Sequence, residues 1–164
     1  MTLETFLKEN DISYFDSGAA IFVYERLNLR HALVEELPQH LCVKGDLVLY
    51  GSKVSRLPDK LYVQGRIYVD GQQLREIPPQ FQKDVVIEFD SNSGYAFEIV
   101  ETGIRINYIF ETIISWKRLF RKRSFFEMDP EFFDIHPKRH PISYREFMND
   151  FKRAAKLHEH YFGS

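Results

Sequence analysis

The chain has 164 residues, of which 44% are hydrophobic and 15% aromatic, and its formal net charge is −2. This apolar content can offset chain entropy, so the composition excludes a disordered protein and favours a substantial core. This net charge is too small for the protein as a whole to attract nucleic acid or an anionic membrane electrostatically. The single cysteine excludes an internal disulfide and a thiolate metal cluster, and it fits a reducing, cytoplasmic setting.

The N-terminus reads MTLETFLKENDISYF, without the basic start and apolar run of a secretory signal. No apolar stretch of the sequence is long enough to cross a bilayer, so we expect no membrane association. Residues 2–10 predict a short helix, because Thr2 can cap its first turn while Leu3, Phe6 and Leu7 share one face. We expect this helix to cover the open end of the structure that follows.

A repeat occupies the next part of the chain. Residues 37–56, LPQHLCVKGDLVLYGSKVSR, are followed without a spacer by a close copy, LPDKLYVQGRIYVDGQQLRE. A third copy continues in IPPQFQKDVVIEFD, where Ile87 and Phe89 keep the twenty-residue register while Lys83 and Val85 break it. A degraded copy, IFVYERLNLRHALVEE, precedes them. Two good and two frayed copies predict about four coils of a solenoid with atypical ends.

The pattern within each copy explains how such coils would form. The L-x-V and L-x-L spacings alternate with period two, which predicts short strands with one buried face. The glycines permit turns, and Pro38, Pro58 and Pro78 prevent a helix through the return corner. One coil cannot bury its own inward side chains. Coils are therefore expected to stack as parallel strands about 4.8 Å apart and to share one apolar column.

The pattern LPxxLxVxGxLxLxGxxVxx resembles the short leucine-rich-type repeats of bacterial and bacteriophage proteins, and it is similar to the 20-residue LP repeats of bacterial effectors. The resemblance covers about residues 20–90 and implies architecture rather than activity. Gly51 and Gly71 stand where leucine-rich repeats usually have Asn, so an Asn ladder is not expected. The ubiquitin-ligase domain of many effectors does not carry over, because the only cysteine, Cys42, lies inside a repeat strand.

The chain after the repeats has a different pattern. SNSG predicts a turn and YAFEIVE a further strand. From Ile106 to Phe120 the spacing becomes helical, although the β-branched content leaves a strand open. Three prolines prevent a regular helix throughout residues 128–141. Ser143 and Glu146 then form a capping box, which predicts a C-terminal helix whose aromatic face must dock.

The sequence therefore predicts an α+β protein built on a short right-handed β-solenoid, or leucine-rich-repeat-like stack, of about four coils. Residues 1–100 would form the N-terminal capping helix and the solenoid. Residues 101–164 would form a C-terminal helical extension packed on the solenoid, so that the two parts make one structural unit.

The outward side chains of the main strand give one candidate binding site. Val48, Tyr50 and Tyr68 form a small apolar patch among charged neighbours. Tyrosine provides contact area with a polar tip, so the patch is a candidate for protein binding. The alternative is that these are ordinary exposed strand residues, because Tyr and Val have high strand propensity. Cys42 should point outward or to a coil corner, and Tyr62 occupies the same place one coil later; we interpret Cys42 as an incidental thiol, with a reactive thiol as the alternative.

A basic segment, KRLFRKR, provides a second candidate. Its five positive charges are Lys117, Arg118, Arg121, Lys122 and Arg123. One interpretation is contact with nucleic-acid phosphates or with an acidic protein surface. The alternatives are a solvated helix end or pairing with the acidic side chains that follow at 127–134. Nucleic-acid binding is only the second hypothesis, because no recognised binding motif accompanies the cluster.

The histidines do not predict a metal or other cofactor. His136 and His140 are four apart, but neighbouring prolines oppose the helix that would align them. His158 and His160 are two apart, which on a helix turns the imidazoles in different directions. Asp134 beside His136 imitates a catalytic pair without a nucleophile in sequence, so a small enzyme of unknown reaction is the third hypothesis.

The first hypothesis is thus a non-enzymatic module that binds a protein partner through its strand face and its C-terminal aromatic and basic element. The resemblance to phage and bacterial repeats implies a sharper expectation, an inhibitor that blocks a bacterial defence protein by occupying its surface. Self-association through uncovered coil edges or through the C-terminal helix is compatible with the same pattern.

Overall fold

The computed structural model describes residues 1–90, 95–108 and 144–163, and the chain divides into two compact units, Met1–Val86 and Ile87–Ser164. The helices are α1 (Leu3–Glu9), a short 3₁₀ helix (Pro79–Phe81) and α2 (Tyr144–Phe162). The strands are β1 (Tyr14–Asp16), β2 (Ile21–Val23), β3 (Leu27–Asn28), β4 (Leu41–Val43), β5 (Leu47–Val48), β6 (Tyr62–Val63), β7 (Ile67–Asp70), β8 (Val85–Asp90), β9 (Tyr95–Val100) and β10 (Gly103–Tyr108).

Helix α1 begins as the sequence predicts. Thr2 is its N-cap, and the Thr2 Oγ1 accepts a hydrogen bond from the Thr5 backbone N–H at 3.2 Å. Leu3 and Leu7 are buried, so the apolar face of the helix belongs to the core of the first unit. The N-terminal amino group lies 3.4 Å from the Leu33 carbonyl oxygen, which ties the start of the helix to the first coil.

The first unit is a stack of coils in the predicted register. Strands β2, β4 and β6 pair in parallel, and so do β3, β5 and β7. Leu27 stands opposite Leu47, and Leu47 stands opposite Ile67, twenty residues later each time. The three side chains are 0% exposed. The prediction that successive coils share one apolar column is confirmed.

Two glycines are required at different corners of the coil. Gly51 has φ +63°, a left-handed conformation that L side chains rarely adopt, and a Cβ there would collide with the His31 ring of the preceding coil. At the other corner, a Cβ on Gly45 would lie 2.6 Å from the Arg26 backbone nitrogen. The first glycine therefore serves a turn, and the second allows two coils to approach closely.

A glutamine ties the turns of neighbouring coils together. The Gln73 Nε2 lies 2.8 Å from the Leu49 carbonyl oxygen, 2.9 Å from the Ser52 Oγ and 3.1 Å from the Val54 carbonyl oxygen. Its Oε1 accepts a hydrogen bond from the Asp70 backbone N–H at 3.1 Å. This side chain satisfies polar groups of the turn in the preceding coil, and the sequence pattern alone did not indicate it.

The solenoid has about three turns, whereas the sequence predicted about four. The Leu47 N–H donates to the Arg66 carbonyl, nineteen residues on (66 − 47 = 19), but the Ile67 N–H donates to the Asp84 carbonyl, only seventeen on (84 − 67 = 17). The last coil is thus two residues shorter, and Val85 takes the place expected of Ile87. A shift of two residues preserves the alternation of strand faces, so Val85 stays buried.

The second unit contains an antiparallel sheet and the C-terminal helix. Strand β9 pairs with both β8 and β10, and β9 confirms the strand predicted from YAFEIVE. Strand β10 runs to Tyr108, so residues 106–108 are strand rather than the start of the predicted helix, while 109–120 lie outside the described residues. Ser143 of the predicted capping box also lies outside them, but helix α2 follows it as predicted.

Helix α2 contacts strands β9 and β10. Phe151 and Ala154 of the helix are buried. The Arg153 Cζ lies 4.7 Å from the centre of the Phe89 ring, and the His158 Nε2 lies 3.0 Å from the Glu101 carbonyl oxygen. Burial raises the pKa of the Tyr161 hydroxyl above its ordinary value of 10.0.

Candidate protein-binding face

One member of the predicted strand patch is not exposed. Val48 is 2% exposed, so the prediction that it belongs to an outward apolar patch is wrong. Val48 lies on the central strand of β3, β5 and β7, and its register neighbours are Asn28 and Tyr68. Both neighbours have longer side chains than valine. A short side chain standing between them offers no contact area to a partner.

The two tyrosines of the same patch are half-buried and contact each other. The ring centres of Tyr50 and Tyr68 lie 6.1 Å apart, with the planes tilted by 60°. The Arg30 Cζ lies 5.5 Å from the centre of the Tyr50 ring, a cation–π geometry. Binding by these tyrosines stays a prediction, and their intramolecular contacts already give them a role in joining successive coils.

The predicted basic and catalytic candidates lie outside the described residues. These candidates are Lys117, Arg118, Arg121, Lys122, Arg123, Asp134, His136 and His140. His158 and His160 are on helix α2, two residues apart. Within the described ranges 1–90, 95–108 and 144–163, no three His, Cys, Asp or Glu side chains come together in an arrangement that could hold a metal ion.

A row of four side chains crosses the outer face of the sheet β1-β2-β4-β6, and we call it the aromatic row: Phe15, Phe22, Cys42 and Tyr62. Phe15 stands opposite Phe22, Phe22 opposite Cys42, and Cys42 opposite Tyr62. Each row member belongs to a different strand. The row therefore follows directly from the strand register, and it spans the full width of this sheet.

The aromatic row is most exposed at its two ends. Phe15 is 53% exposed and Tyr62 is 59% exposed, whereas Phe22 and Cys42 are half-buried. The ring centres of Phe15 and Phe22 lie 6.1 Å apart. Two large side chains held in the open at the ends of a continuous apolar row could anchor a protein partner.

The surroundings of the aromatic row are polar. Tyr24 is exposed beside it, and the Lys44 Nζ lies 5.1 Å from the centre of the Tyr24 ring. Lys60 and Gln64, two residues before and two residues after Tyr62, are also exposed. An apolar centre bordered by charged and polar side chains is the usual arrangement of a protein–protein interface.

The sequence predicts that Cys42 and Tyr62 occupy equivalent places, pointing outward or to a coil corner, but it does not predict the aromatic row, because strand β1 is not among the predicted elements. Strand β1 has only three residues and pairs antiparallel with β2. The Asp16 Oδ1 accepts a hydrogen bond from the Gly18 N–H at 2.7 Å, and this turn carries the chain from β1 into β2. The letters DSG between YF and IFV are the signal from which this hairpin could have been found.

Comparisons with family models, with curated proteins and with solved structures gave no match. Among the described residues, no helix is both long enough and apolar enough to span a membrane. Among the described residues, five large hydrophobic side chains are exposed, and two of them, Phe15 and Tyr62, belong to the aromatic row.

Proposed function

We propose that this protein is a non-enzymatic module that binds a protein partner, and that the aromatic row is the centre of its contact face. One observation carries the proposal: four cross-strand neighbours form a continuous row whose end members, Phe15 and Tyr62, are more than half exposed. Contiguous exposed apolar surface on a folded monomer commonly marks an interaction site.

The chemistry of this face favours a protein as the ligand. Phenylalanine and tyrosine are enriched at the centres of protein–protein interfaces, where they bury large areas with few rotatable bonds. The parallel ladder of β2, β4 and β6 fixes the backbone beneath the row. A face that is rigid before binding loses little conformational entropy when the partner docks.

The sharper form of this proposal is an inhibitor from a phage or mobile element that occupies the surface of a bacterial defence protein. This form is supported only by the resemblance of the repeat pattern to phage and bacterial proteins. The contact face itself requires a partner with an apolar patch bordered by polar groups, whatever the partner's role in the cell.

A capture experiment with matched variants tests the proposal. Tagged protein is incubated with bacterial lysate, and proteins retained in stoichiometric amount are compared between the wild type, Phe15→Ser/Tyr62→Ser and Leu33→Ser. Leu33 is 58% exposed and lies outside the row, so it controls for the loss of exposed apolar surface in general. We expect the wild type and Leu33→Ser to retain the same partner, and the double variant to retain about tenfold less.

Equal retention by all three proteins would contradict the proposed face. Recovery of no stoichiometric partner by the wild type would contradict the proposed function. Far-ultraviolet circular dichroism and thermal unfolding of each variant show whether the fold is preserved. Because both row residues are more than half exposed, their replacement should change stability by less than about 1 kcal/mol.

The alternative function, nucleic-acid binding by the basic segment 117–123, is supported by five positive charges within seven residues. It predicts retention on immobilised nucleic acid that weakens steeply with salt and is lost on charge reversal at Arg121 and Arg123. Retention that ignores salt, or no retention at all, would contradict it. The variants of the aromatic row should leave this binding unchanged.

A further inference from the structure

Strand β6 is the last strand of the sheet β1-β2-β4-β6. The Gln64 N–H donates to the Val43 carbonyl at 2.9 Å, so Gln64 and, by alternation, Tyr62 turn their backbone groups toward β4. The N–H and C=O of Val63, between them, point to the opposite side. In the ranges 1–90, 95–108 and 144–163, no strand pairs with that side.

The inward row of Val23, Val43 and Val63 is also less well covered at Val63 than at its other two members. Val23 and Val43, its counterparts in the two preceding coils, are fully buried, whereas Val63 is half-buried. In the next coil the short 3₁₀ helix Pro79–Phe81 replaces a strand, and Lys83 is exposed. The inward row of Val23, Val43 and Val63 therefore ends at Val63, which an additional strand could cover, whereas other inward positions of the last coil are filled by Phe81 and Val85.

The other strand edges of the first unit are protected, which makes β6 different. Strand β1 carries Asp16 on the face opposite Phe15, and a charge in that position discourages strand addition. At the edge of β3, the Asn28 Oδ1 accepts a hydrogen bond from the Arg30 N–H at 3.1 Å. Strand β6 contains no charged residue.

We propose that the edge of β6 accepts an extended segment of the protein partner as an additional strand, paired through the N–H and C=O of Val63. This proposal rests on the proposed function and specifies how the same partner binds. Main-chain hydrogen bonds would supply affinity, and alternate side chains would supply specificity. The aromatic row would then continue beyond Tyr62 onto the partner.

The charges near the edge define the chemistry of the partner segment. Lys60 is exposed in the turn that precedes β6, two residues before Tyr62. Lys83 is also exposed, and it belongs to the coil that follows β6, because the next residue, Asp84, accepts the Ile67 N–H. A partner segment should therefore alternate small apolar residues that face the column with an aromatic residue beside Tyr62 and acidic residues at the flanks.

A synthetic peptide of this design tests strand addition directly. The probe is Ser-Asp-Val-Phe-Val-Asp-Ser, and the readout is the hydrogen-exchange rate of the Val63 amide, measured by nuclear magnetic resonance. In dilute protein alone we expect this amide to exchange at nearly the unprotected rate. Millimolar peptide should slow the exchange about tenfold. A matched peptide that is N-methylated at both valines keeps the side chains but loses two backbone donors, and it should give no slowing.

Three results of this measurement would overturn the proposal. The first is a Val63 amide already protected in dilute protein, which would mean that the chain covers its own edge. The second is protection that rises with protein concentration without peptide, which would assign the edge to a second copy. The third is equal slowing, or no slowing, by the two peptides.

A capture experiment separates failure of strand addition from failure of the proposed function. Val63→Lys places a charge on the inward side of the edge, where it opposes an added strand, and its half-buried position lets the lysine reach water. We expect this variant to retain about tenfold less partner than the wild type while it unfolds at a similar temperature. Normal retention by Val63→Lys, together with loss by Phe15→Ser/Tyr62→Ser, would overturn strand addition and leave the contact face intact.

Discussion

The close contact between Gly51 and His31 allows a quantitative test of coil stacking. In Gly51→Ala, the new Cβ meets two separate obstacles. The backbone keeps φ near +63°, which is unfavourable for alanine, and the methyl group collides with the imidazole one coil earlier. The left-handed conformation costs about 1 kcal/mol, and the collision adds about 1–3 kcal/mol if the ring cannot move away.

A double-mutant cycle separates these two costs. In the background of His31→Gly the ring is absent, so Gly51→Ala should cost only about 1 kcal/mol, the conformational part. The assay is urea unfolding followed by circular dichroism, with the free energy of unfolding extrapolated to water. We expect a coupling of about 1–3 kcal/mol between the two positions. Additivity within about 0.5 kcal/mol would refute direct stacking of residue 31 against residue 51.

Three further predictions concern the cores of the two units. Leu47→Ala should lower the free energy of unfolding by about 3–5 kcal/mol, because Leu47 is 0% exposed between two other members of the apolar column. Gln73→Leu should cost about 1–3 kcal/mol, because it removes the amide donor and acceptor that join two turns. Stability should also fall as pH rises above about 10, because the unfolded state releases the Tyr161 proton at lower pH than the folded state does; Tyr161→Phe should make that fall shallower.

Each of these predictions has its own control. Leu33→Ala removes the same side chain from a residue that is 58% exposed, so a cost similar to that of Leu47→Ala would contradict the shared column. Unchanged stability in Gln73→Leu would mean that water satisfies the turn groups equally well. Because burial raises the pKa of Tyr161 in the folded protein, its contribution to the free energy of unfolding is complete at pH values below the pKa in the unfolded chain. Identical stability profiles of the wild type and Tyr161→Phe between about pH 8 and pH 11 would contradict it.

Much of the first unit could be predicted because successive coils of a solenoid have the same structure and therefore the same spacing of apolar residues. Leu27, Leu47 and Ile67 are twenty residues apart in the sequence and stand opposite one another in the ladder. Alternation with period two then decides which side chains face the column. The N-cap at Thr2 is equally local, since it depends on a hydroxyl and an N–H only three residues apart.

The features that escaped prediction depend on contacts between distant or irregular parts of the chain. The last coil is shortened by two residues, a change that leaves the alternation of faces intact and so leaves no mark in the hydrophobic pattern. The role of Gln73 depends on oxygens 19 to 24 residues away. Val48 was misjudged because its burial depends on the size of its neighbours in adjacent coils, which alternation alone does not measure.

The candidate face was missed for a related reason. Its row crosses four strands that lie far apart in the sequence, and Phe15 joins it only through a three-residue strand in an antiparallel hairpin. The outward columns that the sequence predicts belong to the second strand of each coil, whereas the exposed aromatic side chains Phe15 and Tyr62 lie on the sheet β1-β2-β4-β6. The pairing of β1 with β2, of β2 with β4 and of β4 with β6 is needed to show that these four side chains are neighbours on one surface.

The central claim is that the outer face of β1-β2-β4-β6 contacts a protein partner, and site-specific photocrosslinking tests it most directly. A benzophenone amino acid is placed at Tyr62, or at the equally exposed Leu33 as a control, and the cells that contain the partner are irradiated. We predict one discrete adduct of defined mass from position 62 and none from position 33. Adducts of the same intensity from both positions, or no adduct from position 62, would contradict the claim.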